Sequence, residues 1–77
     1  MSKQHYKKVI KELDKMAKDL EAIADKKGYD IDNDPLYQSA LSNITAVDMY
    51  EIEENKAKAL VWAGYYLGQV EHKLLIY

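Results

Sequence analysis

Residues 57–75, AKALVWAGYYLGQVEHKLL, decide the fold. At helical spacing Ala57, Leu60, Val61, Gly64, Leu67, Gly68, Leu74 and Leu75 make an aliphatic, small-residue face, while Trp62, Tyr65, Tyr66 and Gln69 make a second face rotated away from it. The longest uncharged part, Ala59 to Val70, is twelve residues long. A membrane span takes about 20 apolar residues, so the run predicts a buried helix of a soluble protein. A helix apolar nearly all round must be covered on two sides. With 77 residues the chain has one other long helix and one short one for that task. The expected architecture is therefore all-α: a small helical bundle of two long helices and one short helix, completed by homodimerisation. Leu60, Val61, Gly64, Leu67 and Gly68 are the expected self-association residues. A glycine inside a helix costs about 1 kcal/mol relative to alanine, and Gly64-x-x-x-Gly68 predicts a tight crossing against a neighbour.

Working outward, Gly28-Tyr-Asp-Ile-Asp-Asn-Asp-Pro35 is the one clear break. Before it, Tyr6, Val9, Leu13, Met16, Leu20 and Ile23 recur at steps of three and four, with Ile10, Ala17 and Ala24 widening the stripe. This predicts a helix over 2–27, with Ser2 as N-cap and Gly28 at C′. After the break, Asp34 is an N-cap with Pro35 at N1, and Leu36, Tyr37, Ala40, Leu41 and Ile44 give a shorter helix over 34–44. Ser42-Asn-Ile-Thr45 is rich in turn formers, and Thr45 with Asp48 has capping-box spacing. A bend near 43–47 and a third helix over 46–75 follow, all in a single domain, 1–77.

The composition excludes much. The chain has no Cys, Phe or Arg, against 11 Lys, 13 acidic residues, 7 Tyr and 1 Trp. Without cysteine there is no disulfide framework, thiolate zinc site, iron–sulfur cluster or thiol nucleophile. No signal peptide is visible at the N-terminus, and the expected location is cytoplasmic. Lys without Arg, with many Tyr, Ile and Asn, points to an AT-rich genome such as that of a low-GC bacterium or its phage.

The net charge of −2 conceals blocks: residues 1–27 carry +3, residues 28–55 carry −7 and residues 56–77 carry +2. In the first block Lys8/Glu12, Lys15/Asp19 and Asp14/Lys18 have the spacing of solvated i,i+4 pairs. Without Arg, the bidentate contacts to phosphate and guanine are missing, so neither direct nucleic-acid binding nor a membrane is expected. In the middle block Asp48, Glu51 and Glu54 are read as first-turn residues of the third helix, favoured by its dipole. Alternatively Asp48, Glu51, Glu53 and Glu54 meet a basic surface on a partner, which speeds association and makes it salt-sensitive.

Asp30-x-Asp32-x-Asp34 has the alternation of a calcium loop, but Pro35 and Leu41 stand where glycine and glutamate are required. An Asx-rich turn into a capped helix accounts for the same residues. His5 and His72 could meet if the first and third helices are antiparallel, yet two ligands do not close a zinc site. Triads, phosphate-cradling loops and dinucleotide fingerprints are missing, and no catalytic, metal or cofactor site is expected. Trp62, Tyr65, Tyr66 and Gln69 remain as one stripe, suited to the core or to self-association, to a protein partner, or to stacking on a nucleobase with Lys56 or Lys58 holding phosphate. The functional expectation is a non-enzymatic protein-interaction module, a phage- or bacterium-encoded inhibitor or modulator that blocks a larger protein. The alternatives are a nucleotide-like ligand binder or sponge and a purely structural dimerisation protein.

Overall fold

Ala59, Leu60, Ala63, Leu67, Val70 and Leu74 recur at steps of one, three and four, and every one of them is buried. They form the inner stripe of α3 (Glu53–Ile76), the helix around which the chain folds. The computed structural model describes the backbone of residues 3–77 and the side chains of residues 6–77. Ser2 as N-cap and the His5 side chain lie outside the described residues. Two further helices, α1 (Lys3–Lys27) and α2 (Pro35–Ala46), pack on α3, and one-turn 3-10 segments at Ile31–Asn33 and Val47–Met49 flank α2. Among the described residues there is no strand.

The first helix runs parallel to α3. At one end the Tyr6 hydroxyl donates to the Glu53 carbonyl at 3.3 Å, and at the other Lys27 Nζ donates to the Leu74 carbonyl at 2.5 Å. The latter satisfies one of the last four carbonyls of α3, which have no partner within the helix. Parallel packing puts residue 5 and His72 at opposite ends, so the conditional meeting of the two histidines does not arise. The inner stripe of α1 is Tyr6, Leu13, Ala17, Leu20 and Ala24; Met16 and Ile23 turn partly outward. Small Ala17 and Ala24 allow the close approach of α3, which rotates the larger residues to the edge.

The α1–α2 turn follows the sequence closely. Gly28 sits at φ +71°, and the Tyr29 and Gly28 N–H groups donate to the Ala24 and Asp25 carbonyls at 2.9 and 3.3 Å. This is the Schellman arrangement, and it needs the left-handed residue that glycine adopts without strain. Asp34 then caps α2, accepting from the N–H of Leu36 at 2.8 Å and of Tyr37 at 3.4 Å.

The α2–α3 connection differs from expectation. The second helix continues to Ala46 because Thr45 Oγ1 donates back to the Leu41 carbonyl at 3.0 Å and so does not cap a new helix. The break falls at Val47–Ile52, and α3 begins at Glu53, where Ile52 offers no side-chain cap. Glu53 and Glu54 are in the first turn of α3, whereas Asp48 and Glu51 precede it. Lys56 closes the break by donating from Nζ to the Val47 carbonyl at 2.8 Å.

The expected self-association set divides. Leu60 and Leu67 are buried against the chain's own helices, so covering them takes no second copy. Val61 is 71% exposed on the opposite side. A Cβ added at Gly64 would touch only Leu13 Cδ2, at 4.0 Å, and one added at Gly68 would meet nothing within 4 Å. The glycine pair therefore marks no tight crossing inside this chain. The core is complete because Trp62 and Tyr65 are left outside it: α1 and α2 both cover the same side of α3.

Candidate functional site

Three rings stand together on the outer side of α3. Trp62 and Tyr65 meet edge to face with centroids 5.7 Å apart, Trp62 and Tyr66 stack at 5.8 Å, and Tyr65 meets Tyr66 at 5.7 Å. Residues at i, i+3 and i+4 are neighbours on a helix, and rings prefer these offset and perpendicular arrangements. Tyr66 is half-buried and anchors the group to the core, Trp62 is 52% and Tyr65 54% exposed, and Gln69 is exposed beside them. The structure thus brings together the four α3 residues singled out in the sequence.

The aromatic group continues toward the α2–α3 turn. Asn43, Tyr50, Asn55, Lys58, Ala59 and Trp62 line one surface cavity of about 250 Å³. Tyr50 is 40% exposed, and its neighbours Met49 and Ile52 are more so, at 80% and 61%. Asp48, Glu51, Glu53 and Glu54 are exposed or nearly so in the same turn and the first residues of α3. Glu54 pairs with Lys58 at 3.4 Å, both well exposed, a contact worth little in water. The sequence named Trp62 but not Tyr50 or Asn43, which lie on other elements; a tyrosine between exposed Met and Ile in a polar turn was the only signal.

At the other end of the molecule lies a polar centre that the sequence reading took for a cap alone. The Asp34 side chain is fully buried and accepts from Lys73 Nζ at 3.0 Å and from the Tyr29 hydroxyl, besides the two N–H groups of α2. Burial pushes its carboxyl up, but the four hydrogen bonds outweigh burial and hold it below the usual carboxylate value. Tyr29 is raised, chiefly by its hydrogen bond to Asp34, and Lys73 is raised for the same reason. Nearby, the Tyr37 hydroxyl donates to Glu21 at 2.5 Å, and burial followed by that carboxylate pushes the phenol well above its ordinary range.

This cluster ties the α1–α2 turn to α2 and α3. The three aspartates of the turn have separate tasks: Asp30 accepts from the Asn33 side chain, the Asp32 carbonyl accepts from Gln38 at 2.9 Å, and Asp34 faces inward. Among the described residues no group of three or more His, Asp or Glu is placed to hold a metal ion, and no helix is long and apolar enough to cross a membrane.

No protein-family model matches the chain, no curated protein matches it, and no solved structure matches it.

Proposed function

We propose that the protein is a non-enzymatic interaction module of the cytoplasm that works by occupying a surface of a larger protein. Its most concrete form is a phage- or bacterium-encoded inhibitor or modulator. The observation that carries the reading is the Trp62–Tyr65–Tyr66 group, three mutually packed rings left half-exposed by a core that is already closed. Preorganised rings of this kind offer large contact area with little ordering cost, the property that makes Trp and Tyr dominate interface hot spots. Gln69 extends the contact, and Asp48, Glu51, Glu53 and Glu54 give the adjoining turn the charge to orient a basic partner.

The test is affinity capture from the native host with the wild-type chain and with Tyr65→Ala/Gln69→Ala. The expected result is a protein retained by the wild type, released as salt is raised, and absent with the variant. Capture of the same proteins by both would overturn the reading.

A second copy of the chain is the competing occupant, favoured by Gly68. Bare of neighbours inside the chain, it leaves about 1 kcal/mol of helix propensity unused, which an intermolecular crossing at that point would explain. Gly68→Ala separates the two. If the face is free of copies, the substitution raises stability by about that amount and leaves the sedimentation coefficient alone. If copies cross there, it weakens their association, and the wild type sediments as a dimer.

A further inference from the structure

We infer that the cavity between α2 and the start of α3 is a binding site for a single nucleotide, a base that stacks on Trp62 with its phosphate at Lys58. The site shares Trp62 with the protein-docking face and goes beyond that reading, since two of its walls, Asn43 and Tyr50, lie on other elements. Trp62 lines this space with Tyr66 stacked on its indole and Tyr65 meeting it edge to face, and Tyr50 lines the same space, so a base entering it meets two aromatic side chains. Base–aromatic stacking works for every base, because each has a π-face.

Polar groups for the base edge are present on both sides. The Asn43 side chain donates to the Ser39 carbonyl at 2.8 Å, which fixes the amide and leaves its oxygen to accept. Asn55, half-buried in the first turn of α3, supplies a second carboxamide, able to donate and accept.

The cation is Lys58. Of the two lysines the sequence offered for phosphate, Lys56 is committed to the Val47 carbonyl, whereas Lys58 lines the cavity and, among the described residues, is held by its exposed pair with Glu54 alone. A phosphate carries more charge than a carboxylate and displaces so weak a pair readily.

Size and charge narrow the ligand. A volume of about 250 Å³ admits one base, with the sugar and phosphate at the rim, and is below the range of enclosed sites for larger ligands. A polymer is disfavoured: its further phosphates would meet Glu51, Glu53 and Glu54, with no arginine to offset them.

The experiment follows the fluorescence of Trp62, the single tryptophan, and the amide resonances of the chain during titration with AMP, GMP, CMP and UMP. The matching nucleosides and inorganic phosphate are the controls. At least one nucleotide is expected to give a saturable change, with a dissociation constant on the order of 0.1 mM and shifts centred on Asn43, Tyr50, Asn55 and Trp62. Its nucleoside binds several-fold more weakly. Lys58→Gln brings the nucleotide down to the nucleoside level without altering the nucleoside, and Asn43→Leu weakens both.

Lys58 is exposed, so its variant stays folded and informative even if Asn43→Leu does not. A response to inorganic phosphate equal to that of the nucleotides means an adventitious ion only and overturns the proposal. So does the absence of a saturable change with all four nucleotides, or a Lys58→Gln titration identical to wild type. Gln69→Ala, which leaves the three packed rings in place, keeps nucleotide binding while weakening the protein partner, so the two readings fail separately.

Discussion

The two connections of this bundle differ in kind. Between α1 and α2, the chain turns on a left-handed glycine, buries an aspartate, and links that carboxylate to the turn's own Tyr29, the N–H groups of α2 and Lys73 of α3. Between α2 and α3, it turns with an isoleucine at the N-cap, no side-chain cap, and Met49 and Ile52 largely in water. A buried charge left without partners costs several kcal/mol, which ties the first turn to its hydrogen-bonded geometry. The second turn gives up stability and keeps apolar and acidic groups available. Buried polar structure is concentrated at one end of the molecule, and the surface proposed for recognition lies at the other.

Substitutions in each turn can break or sharpen this contrast. The largest effect is expected from Asp34→Ala, which leaves Lys73 and Tyr29 without their acceptor and α2 without its cap. A loss of about 2–3 kcal/mol is expected in chemical denaturation, from the lost cap and the hydrogen bonds to a charged, buried acceptor, with Lys73 itself left in water. A change below about 1 kcal/mol, the cost of a lost cap alone, would show that the cluster is merely a cap.

The pH dependence of stability reports the same cluster from both sides. Because the folded Asp34 carboxyl lies below its ordinary value near 3.8, its contribution is full above that value and is lost as pH falls through the lower folded value. Tyr29 and Lys73 are raised from 10.0 and 10.5, so their contributions are full below those values and are lost as pH rises through the higher folded ones. Thermal melts should show an acid limb and an alkaline limb. In Asp34→Asn the acid limb should shrink; an unchanged limb would assign it to other carboxylates.

Gly28→Ala comes next, with a cost of about 1–2 kcal/mol from the left-handed backbone alone, since an added Cβ meets nothing within 4 Å. The smallest expected change is a gain. Ile52→Ser places a capping hydroxyl at the extended N-cap of α3 and should stabilise by about 1 kcal/mol, read as a higher Tm. If Ile52→Ser instead destabilises, the open turn holds a contact that its exposure does not reveal.

Much of the closed end was legible in the sequence. Gly28 and the Asp34-Pro35 pair carry local signals, because a left-handed C′ and an N-cap depend on residues within one turn of each other. The all-α class was legible for the same reason. Lys73, however, is 39 positions from Asp34, and nothing local linked them. Thr45 misled because its hydroxyl can either cap a following helix or bond back into the preceding one, and only the packing of α2 decides which. The spacing of the aromatic stripe was legible, but not that Trp62 and Tyr65 stay outside the core, and its neighbours Tyr50 and Asn43 come from elements whose placement depends on where α2 stops.

The same division runs through the whole protein. The sequence by itself determined the presence of three helices, the turn at Gly28–Pro35, the charge blocks and the existence of two faces on α3, because each rests on spacing and local backbone preference. It did not determine where α2 ends and α3 begins. Which face of α3 lies inside was decided by tertiary structure alone. Ala17 and Ala24 of α1 and Ala40 of α2 are all buried in the core, where small side chains let helices come close. Close approach favours the stripe of Ala59, Ala63, Leu67 and Val70 over the bulkier rings, and so leaves Trp62 and Tyr65 to the surface.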